Sequence, residues 1–312
     1  MARYLARRVL QAVGVILAIA AITFFVLNVV PGDPVRVMMG DQAKEEAVQQ
    51  VRHELGLDRP VGEQFVLWLG NVVRGDLGSS YGQHRSVAGL IAQALGYTAR
   101  LAIGAMLLAS VVGLVFGLLA ATFRDTWVDR TLMALAVAGI SAPAFWMAVV
   151  LQLVFALGLR CLPLSGTSKP FSFVLPTVAL GVRMAASIAR VTRTSMLDVL
   201  GQDYMTTALA KGASRRRMVL SHGLKNALVP IITIVGTQIG DVFAGSVLVE
   251  TVFGIPGVGS LLLTAINQRD LPLIEGGVMY VAAVCVVAYL ACDVLYAAVD
   301  PRIRLDGRDA PS

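Results

Sequence analysis

The sequence predicts an all-α integral membrane protein with six transmembrane helices. Composition is the first reason: 56% of the 312 residues are apolar and 15% charged, with a mean hydropathy of +0.73. A soluble globule has roughly a quarter of its residues charged. The second reason is run length, since several uncharged stretches reach the ~20 residues needed to cross the hydrocarbon core. The third is charge placement. The formal charge of +6 is not gathered on one polar face, as in a nucleic-acid binder, but lies between apolar runs. Lipid, not nucleic acid, is therefore the expected surrounding.

Residues 9–30 form the first span, preceded by Arg3, Arg7 and Arg8. A cleaved signal peptide is the alternative reading of such a start, but the apolar run continues through residues 21–27, where a mature N-terminus turns polar. A retained helix is expected. Residues 31–97 follow as a polar segment with six basic and eight acidic residues. The second span, 101–123, contains Gly113 and Gly117, a G-x-x-x-G spacing that lets helix backbones approach closely, within the chain or against a second subunit. The third, 132–159, carries Ser141-Ala142-Pro143, where a kink is expected. Weaker runs at 173–189 (with Arg183) and 227–249 (with Gln238, Asp241 and a second G-x-x-x-G at Gly236 and Gly240) give spans four and five. Residues 278–299, with Asp293, give the sixth.

Orientation follows from Lys and Arg near the span ends. The N-terminus, the region holding Arg183, Arg190, Arg193, Lys211, Arg215, Arg216, Arg217 and Lys225, and the tail with Arg302, Arg304 and Arg308 share one side in a six-span chain. That side is read as the cytoplasm, with both termini in it. Residues 1–30 then hold the N-terminal end and first span, 31–97 an extracytoplasmic segment, 98–299 the remaining spans with a cytoplasmic loop at 191–226, and 300–312 a cytoplasmic tail.

Little catalytic chemistry is present. There is no G-x-x-x-x-G-K-[ST] phosphate loop and no H-E-x-x-H, and the three histidines and three cysteines are scattered, so neither a metal nor a cofactor is expected in this chain. Gly78-Ser79-Ser80-Tyr81-Gly82 matches G-x-S-x-G by letter but lacks the strand before it and the acid and histidine in order after it. Ionisable groups at membrane depth are costly and face bundle interiors or water. Asp241 is the deepest, and a pathway lining and a helix-to-helix hydrogen bond stay open for it. Gln238, Ser141 and Pro143 are the other pathway candidates. Residues 203–219 combine helical character, a break at Gly212 and a basic cluster; an amphipathic helix on anionic lipid and a docking helix for a cytosolic partner both fit.

That stretch resembles the EAA loop of binding-protein-dependent ABC importer permeases, in which E-A-A is followed by three residues and glycine. The matching positions are Thr206, Thr207, Ala208 and Gly212; the acidic first residue and the later proline are absent, Lys225-Asn226-Ala227 standing in place of the latter. A-x-A-K-G, a basic cluster, H-G-L-K-N-A and Pro230 resemble the dipeptide, oligopeptide and nickel subfamily. Pro31-Gly32-Asp33-Pro34, Leu55-Gly56-Leu57-Asp58-Arg59-Pro60, Gly75-Asp76-Leu77-Gly78-Ser79-Ser80, Glu250-Thr251-Val252-Phe253 with Pro256-Gly257-Val258-Gly259, Arg269-Asp270-Leu271-Pro272 and Asp300-Pro301-Arg302 extend the resemblance over nearly the whole chain.

The resemblance implies a type I ABC importer permease fold (MetI-like) and a non-enzymatic transport subunit of a bacterial cytoplasmic membrane. Its implied partners are a second homologous permease, two cytosolic ATP-binding subunits that hold ATP and Mg, and an extracytoplasmic solute-binding protein. The implied cargo is di- or oligopeptides, with glutathione, a nickel or metal chelate or another small solute as alternatives; an ion-coupled secondary transporter is the rival class. Tyr204, Thr206, Thr207, Ala208, Lys211, Gly212, Ala213, Arg215 and Arg216 would form the coupling helix against an ATPase. Glu250, Phe253, Pro256, Arg269 and Asp270 would form the outer gate or touch the binding protein. The apolar stretch 253–266 is too short to span and is expected to be re-entrant or interfacial.

Overall fold

The computed structural model describes residues 2–29, 33–40, 43–210, 212, 214 and 217–299, with side chains at all of these except 2–7, 37–38, 208, 244 and 292–299. Pro31, Gly32, Lys211, Ala213, Arg215, Arg216 and the tail from Asp300 lie outside the described residues, as do the side chains of Arg3, Arg7, Ala208 and Asp293. Regular structure among the described residues is helical apart from one isolated bridge, Ser79 to Ser86. In chain order the helices are α1 (Ala2–Val29), α2 (Pro34–Met39), α3 (Glu45–Glu54), α4 (Val61–Val73), α5 (Val87–Thr122), α6 (Trp127–Ser141), α7 (Ala144–Leu151), α8 (Val174–Leu200), α9 (Asp203–Ala210), α10 (Leu224–Phe253), α11 (Val258–Asn267) and α12 (Leu271–Val299). A π-helical turn, Gln152–Gly158, continues α7, and another, Met218–Gly223, leads into α10.

Among the described residues five helices are long and apolar enough to cross a membrane: Arg8–Val29, Val87–Thr122, Val174–Leu200, Met218–Phe243 and Leu271–Ala291. Two bent pairs bring the count to as many as seven, so the expected six falls inside the range without being fixed. The third run is where expectation and structure differ most. A kink was expected at Pro143; the helix instead breaks, and the two halves meet at 105°. Ala142 is extended (φ −81°, ψ 123°), as the residue before a proline prefers, and this ends α6 outright. Helix α5 begins at Val87, well before residue 101. Gln93, Tyr97 and Arg100 interrupt hydropathy but not the buried stripe of Val87, Leu90, Ile91, Ala94, Thr98, Leu101, Ala105 and Ala109.

The chain forms two compact units. One comprises Met1–Thr98 with Pro256–Val286. In it Val87, Leu90 and Ile91 of α5 bury against Ala265 of α11 and Leu273 and Ile274 of α12. Helix α4 meets α1 through Phe65 and Trp68, whose ring centroids lie 5.3 and 5.5 Å from that of Phe24. Asp33 caps α2 by accepting from Val35 N (3.0 Å) and pairs with Arg52 of α3 at 2.5 Å.

The other unit comprises Ala99–Ile255 with Val287–Ser312. Here α8 packs against α6, α7 and α10. Gly113 and Gly117 let α5 touch α8 closely: a Cβ at Gly117 would stand 2.5 Å from both Ala189 O and Thr192 Cβ. The spacing thus serves a contact inside the chain. Gly240 of the second G-x-x-x-G faces the Tyr289 hydroxyl, 2.6 Å from where its Cβ would be. Asp129, 3% exposed, accepts a two-pronged ion pair from Arg193 (2.6 and 2.7 Å), joining α6 to α8.

Candidate functional site

Helix α9 is anchored by one buried side chain and one side-chain hydrogen bond, and its other described side chains are exposed. Met205 is buried (1% exposed) against a helix whose Tyr204, Thr206, Thr207, Leu209 and Ala210 face outward. The Tyr204 hydroxyl accepts from Asn226 Nδ2 (3.2 Å), and the Thr207 hydroxyl donates back to Asp203 O (3.2 Å). Gly212 then takes φ +84° and donates its N–H to Leu209 O at 2.8 Å, the left-handed turn that ends a helix. No atom lies within 4 Å of a Cβ at Gly212, so conformation, not crowding, requires glycine there. The expected helix and its break are therefore present at residues 203–212.

Two of the four pathway candidates, Ser141 and Pro143, line one cavity. Asp241 is exposed on α10, while Gln238, one turn earlier, is buried. Ser141 and Pro143 are exposed at the break between α6 and α7, where the Ser141 hydroxyl donates to Val137 O (2.9 Å). They border an apolar cavity of about 780 Å³ shared with Phe116, Trp146 and Ala186.

The gate candidates differ in burial. Glu250 (0% exposed) and Phe253 (1%) are buried. The backbone around them is tied down: Glu250 O accepts from Ile255 N (2.8 Å), Phe253 O from Gly166 N (2.8 Å), and Val252 O from Gln152 Nε2 (3.1 Å). In the other unit Pro256 and Arg269 are exposed, whereas Asp270 is 1% exposed. Of the five residues expected at the outer gate or against a binding protein, Pro256 and Arg269 are thus exposed and Glu250, Phe253 and Asp270 are enclosed.

What Asp270 does was not legible beforehand. Its carboxylate accepts from Ser80 Oγ (2.5 Å), Tyr81 N (3.1 Å), Gly82 N (3.1 Å) and Leu273 N (3.4 Å). Two motifs noted separately, Gly-Ser-Ser and Arg-Asp-Leu-Pro, are thus halves of one clasp, with Asp270 also capping α12. The Ser80 hydroxyl, which donates to Asp270 and accepts from Gln83 N (3.0 Å), is committed to this fold and is no nucleophile. Burial first, then the negative charges of Glu275 and Asp270, push the Tyr81 phenol up to about 12. An Asp immediately before Leu-Pro is a helix-start signal that could have flagged Asp270 as a cap, though not its partners.

Comparison with known proteins follows the same architecture. The family model for the inner membrane component of binding-protein-dependent transport systems matches residues 113–305, and that for the N-terminal part of such components matches residues 1–102. The glutathione transport system permease protein GsiC of Escherichia coli (strain K12) is 40% identical over 304 residues, covering 97% of this chain and 99% of its own. The protein of the same name in Salmonella choleraesuis (strain SC-B67) gives the same figures. The inward-facing MetNI methionine ABC transporter aligns with a TM-score of 0.56 at 18% identity, over 68% of this chain and 97% of that one, a likeness of fold. Full-length similarity and shared architecture agree: this chain belongs to the family of binding-protein-dependent transport system inner membrane components, the permease subunits of ABC importers.

Proposed function

We propose that the chain forms half of the transmembrane pathway of an ATP-driven importer whose cargo is glutathione or another short peptide. The observation that carries this reading is the 40% identity, over 97% of the chain, to permeases named for glutathione transport. Glutathione is itself a tripeptide, so it lies within the peptide class that the motifs imply and is the first cargo to test.

The rest of the assembly follows the same reading. A second homologous permease completes the pathway, two cytosolic subunits bind ATP with Mg, and a solute-binding protein delivers cargo on the outer face. Positive charge near the span ends supports a cytoplasmic side for both termini. Residues 1–30, 31–97, 98–299 and 300–312 then divide the chain as their charge and hydropathy suggest, with the coupling loop at 191–226. Helix α9 suits a groove on an ATPase: it is short, held by the buried Met205 and the Tyr204–Asn226 hydrogen bond, and its other described side chains are exposed. The basic residues Lys211, Arg215 and Arg216 belong to the same coupling segment by sequence. ATP shifts the permease between inward- and outward-open states only through its stronger binding to the closed ATPase pair.

The test is uptake of radiolabelled glutathione into proteoliposomes holding the complex purified through this chain, with ATP inside and the binding protein outside. Uptake that needs ATP and is competed by unlabelled glutathione supports the proposal. Competition by dipeptides alone moves the cargo to peptides. Uptake that ignores ATP and follows an ion gradient would identify a secondary transporter and end the reading.

A further inference from the structure

Glu275 belongs to the same unit as the Asp270 clasp but takes no part in it. It lies one turn into α12, 6% exposed, and among the described residues it has no hydrogen-bond or ion-pair partner. Its direction is fixed by its neighbours. A Cβ at Gly276 would sit 2.6 Å from Val87 Cγ1, and one at Gly277 2.4 Å from Leu262 Cδ2, so both glycines are pressed against other helices. Glu275 is left facing a cavity of about 860 Å³, shared with Pro272 and Leu271 one turn back.

The cavity has a consistent chemistry. Phe24 and Trp68, 5.5 Å apart between ring centroids, line it together with Tyr81. Glu54 and Asp76 add two further carboxyl groups against the single guanidinium of Arg59, with His84 also on the wall. A carboxylate buried without a partner is costly and is stabilised by an opposite charge that also donates hydrogen bonds. Aromatic faces attract the same kind of group. The volume is that of a small-molecule pocket, far more than a bare ion fills. Among the described residues no group of three His, Cys, Asp or Glu is placed to hold a metal.

We propose that this cavity binds an organic ammonium ion, with Glu275 as its counter-ion and the Trp68 and Tyr81 rings against the adjoining carbon chain. A soluble amine and the headgroup of an ethanolamine lipid both present that chemistry, and α12 leads from the cavity into an apolar span. The site is independent of the cargo proposed above, because its test reads binding and not transport.

The chain has three tryptophans, and replacing Trp127 and Trp146 by Phe leaves Trp68 as the reporter. The full chain in phosphatidylcholine nanodiscs is titrated with n-butylammonium and, separately, with 1-butanol. Saturable change in Trp68 emission with butylammonium, absent with butanol and weakened at least tenfold by Glu275→Gln, is expected. Equal response to butanol, no saturable response, or an unchanged affinity in Glu275→Gln overturns the proposal; the wild-type comparison stands by itself if the variant does not assemble. Repeating the titration with phosphatidylethanolamine in the disc identifies the source. An apparent affinity that falls as that lipid increases assigns the site to the headgroup, and an unchanged one assigns it to soluble amines; both support ammonium recognition.

Discussion

Replacing Asp270 by asparagine keeps the volume at the clasp while removing its charge and one of its two acceptor oxygens. The wild-type carboxylate receives Ser80 Oγ, Tyr81 N, Gly82 N and Leu273 N. The asparagine oxygen can keep Tyr81 N and Leu273 N, which share Oδ1 in the wild type. The amide NH₂ then faces Gly82 N donor to donor, while the Ser80 hydroxyl can rotate to accept. One orphaned, enclosed N–H costs about 1–3 kcal/mol. The surviving bonds lose their ionic half, which adds about 1 kcal/mol. The sum is about 2–4 kcal/mol, or roughly 3–6 °C of thermal midpoint for a chain of this size. Heating the detergent-solubilised protein in steps and measuring the surviving monodisperse peak reads this shift. A second readout is trypsin cleavage at Arg74 or Arg85, which flank the clasped loop and should be nicked faster. Ser80→Ala alone should cost about 1 kcal/mol, and the double variant less than the sum, because the two residues share one bond. A midpoint within about 1 °C of wild type in Asp270→Asn, with unchanged cleavage, would refute the clasp as a source of stability.

Three further outcomes are expected. Gly117→Ala forces α5 away from α8 and should cost about 1–3 kcal/mol of stability, whereas Gly14→Ala, with no atom within 4 Å, should be neutral or slightly stabilising in the same melting assay. At Gly212, φ +84° predicts that Asn sustains ATP-dependent uptake while Val and Pro abolish it with membrane insertion intact; equal uptake by all three would remove the coupling role from this turn. The His53 ring N–H, 2.6 Å from Asp58, holds that carboxyl below the ordinary carboxylate range. A lowered pKa means the pair's contribution is complete above about pH 4 and is lost as the pH falls through the lowered value. Carboxyl ¹³C titration of labelled aspartate should show Asp58 returning to the usual range in His53→Ala, and no change there would dismiss the pair.

Hydropathy alone located the first apolar span, 9–30 against Arg8–Val29, to within a residue at each end, because a span surrounded by lipid carries its signal in every side chain. It failed where burial inside the protein replaced lipid. The first turns of α5, α8 beyond Ala189 and the start of α12 are helical through Gln93, Arg100, Arg190, Arg193 and Glu275, which a window average reads as loop. Pro143 announced a disturbance, and the extended conformation it favours at Ala142 turned the expected kink into a break. The turn at Gly212 was legible because glycine, basic residues and a preceding helix are all local. The Asp270 clasp was not, since its two halves lie 190 residues apart in sequence for the Ser80 bond and no periodicity links them. Glu275 precedes the run at 278–299 that hydropathy marks, and nothing local to it in the sequence signals a buried carboxyl without a partner.

The length of α8 has a mechanical meaning. Its 27 residues extend about 40 Å at the α-helical rise, from Val174 to the turn at Gly201 and Gln202 that opens into α9. Its single internal glycine, Gly181, is filled by Ala105 and Leu108, and Pro176 sits in the first turn, where it does not weaken the ladder. The Arg193 ion pair clamps its far end to α6. Such a helix is a strut without a hinge. A displacement of α9 would be carried along such a strut as a rigid tilt or twist, and the discontinuity among the helices packed on it is the break between α6 and α7.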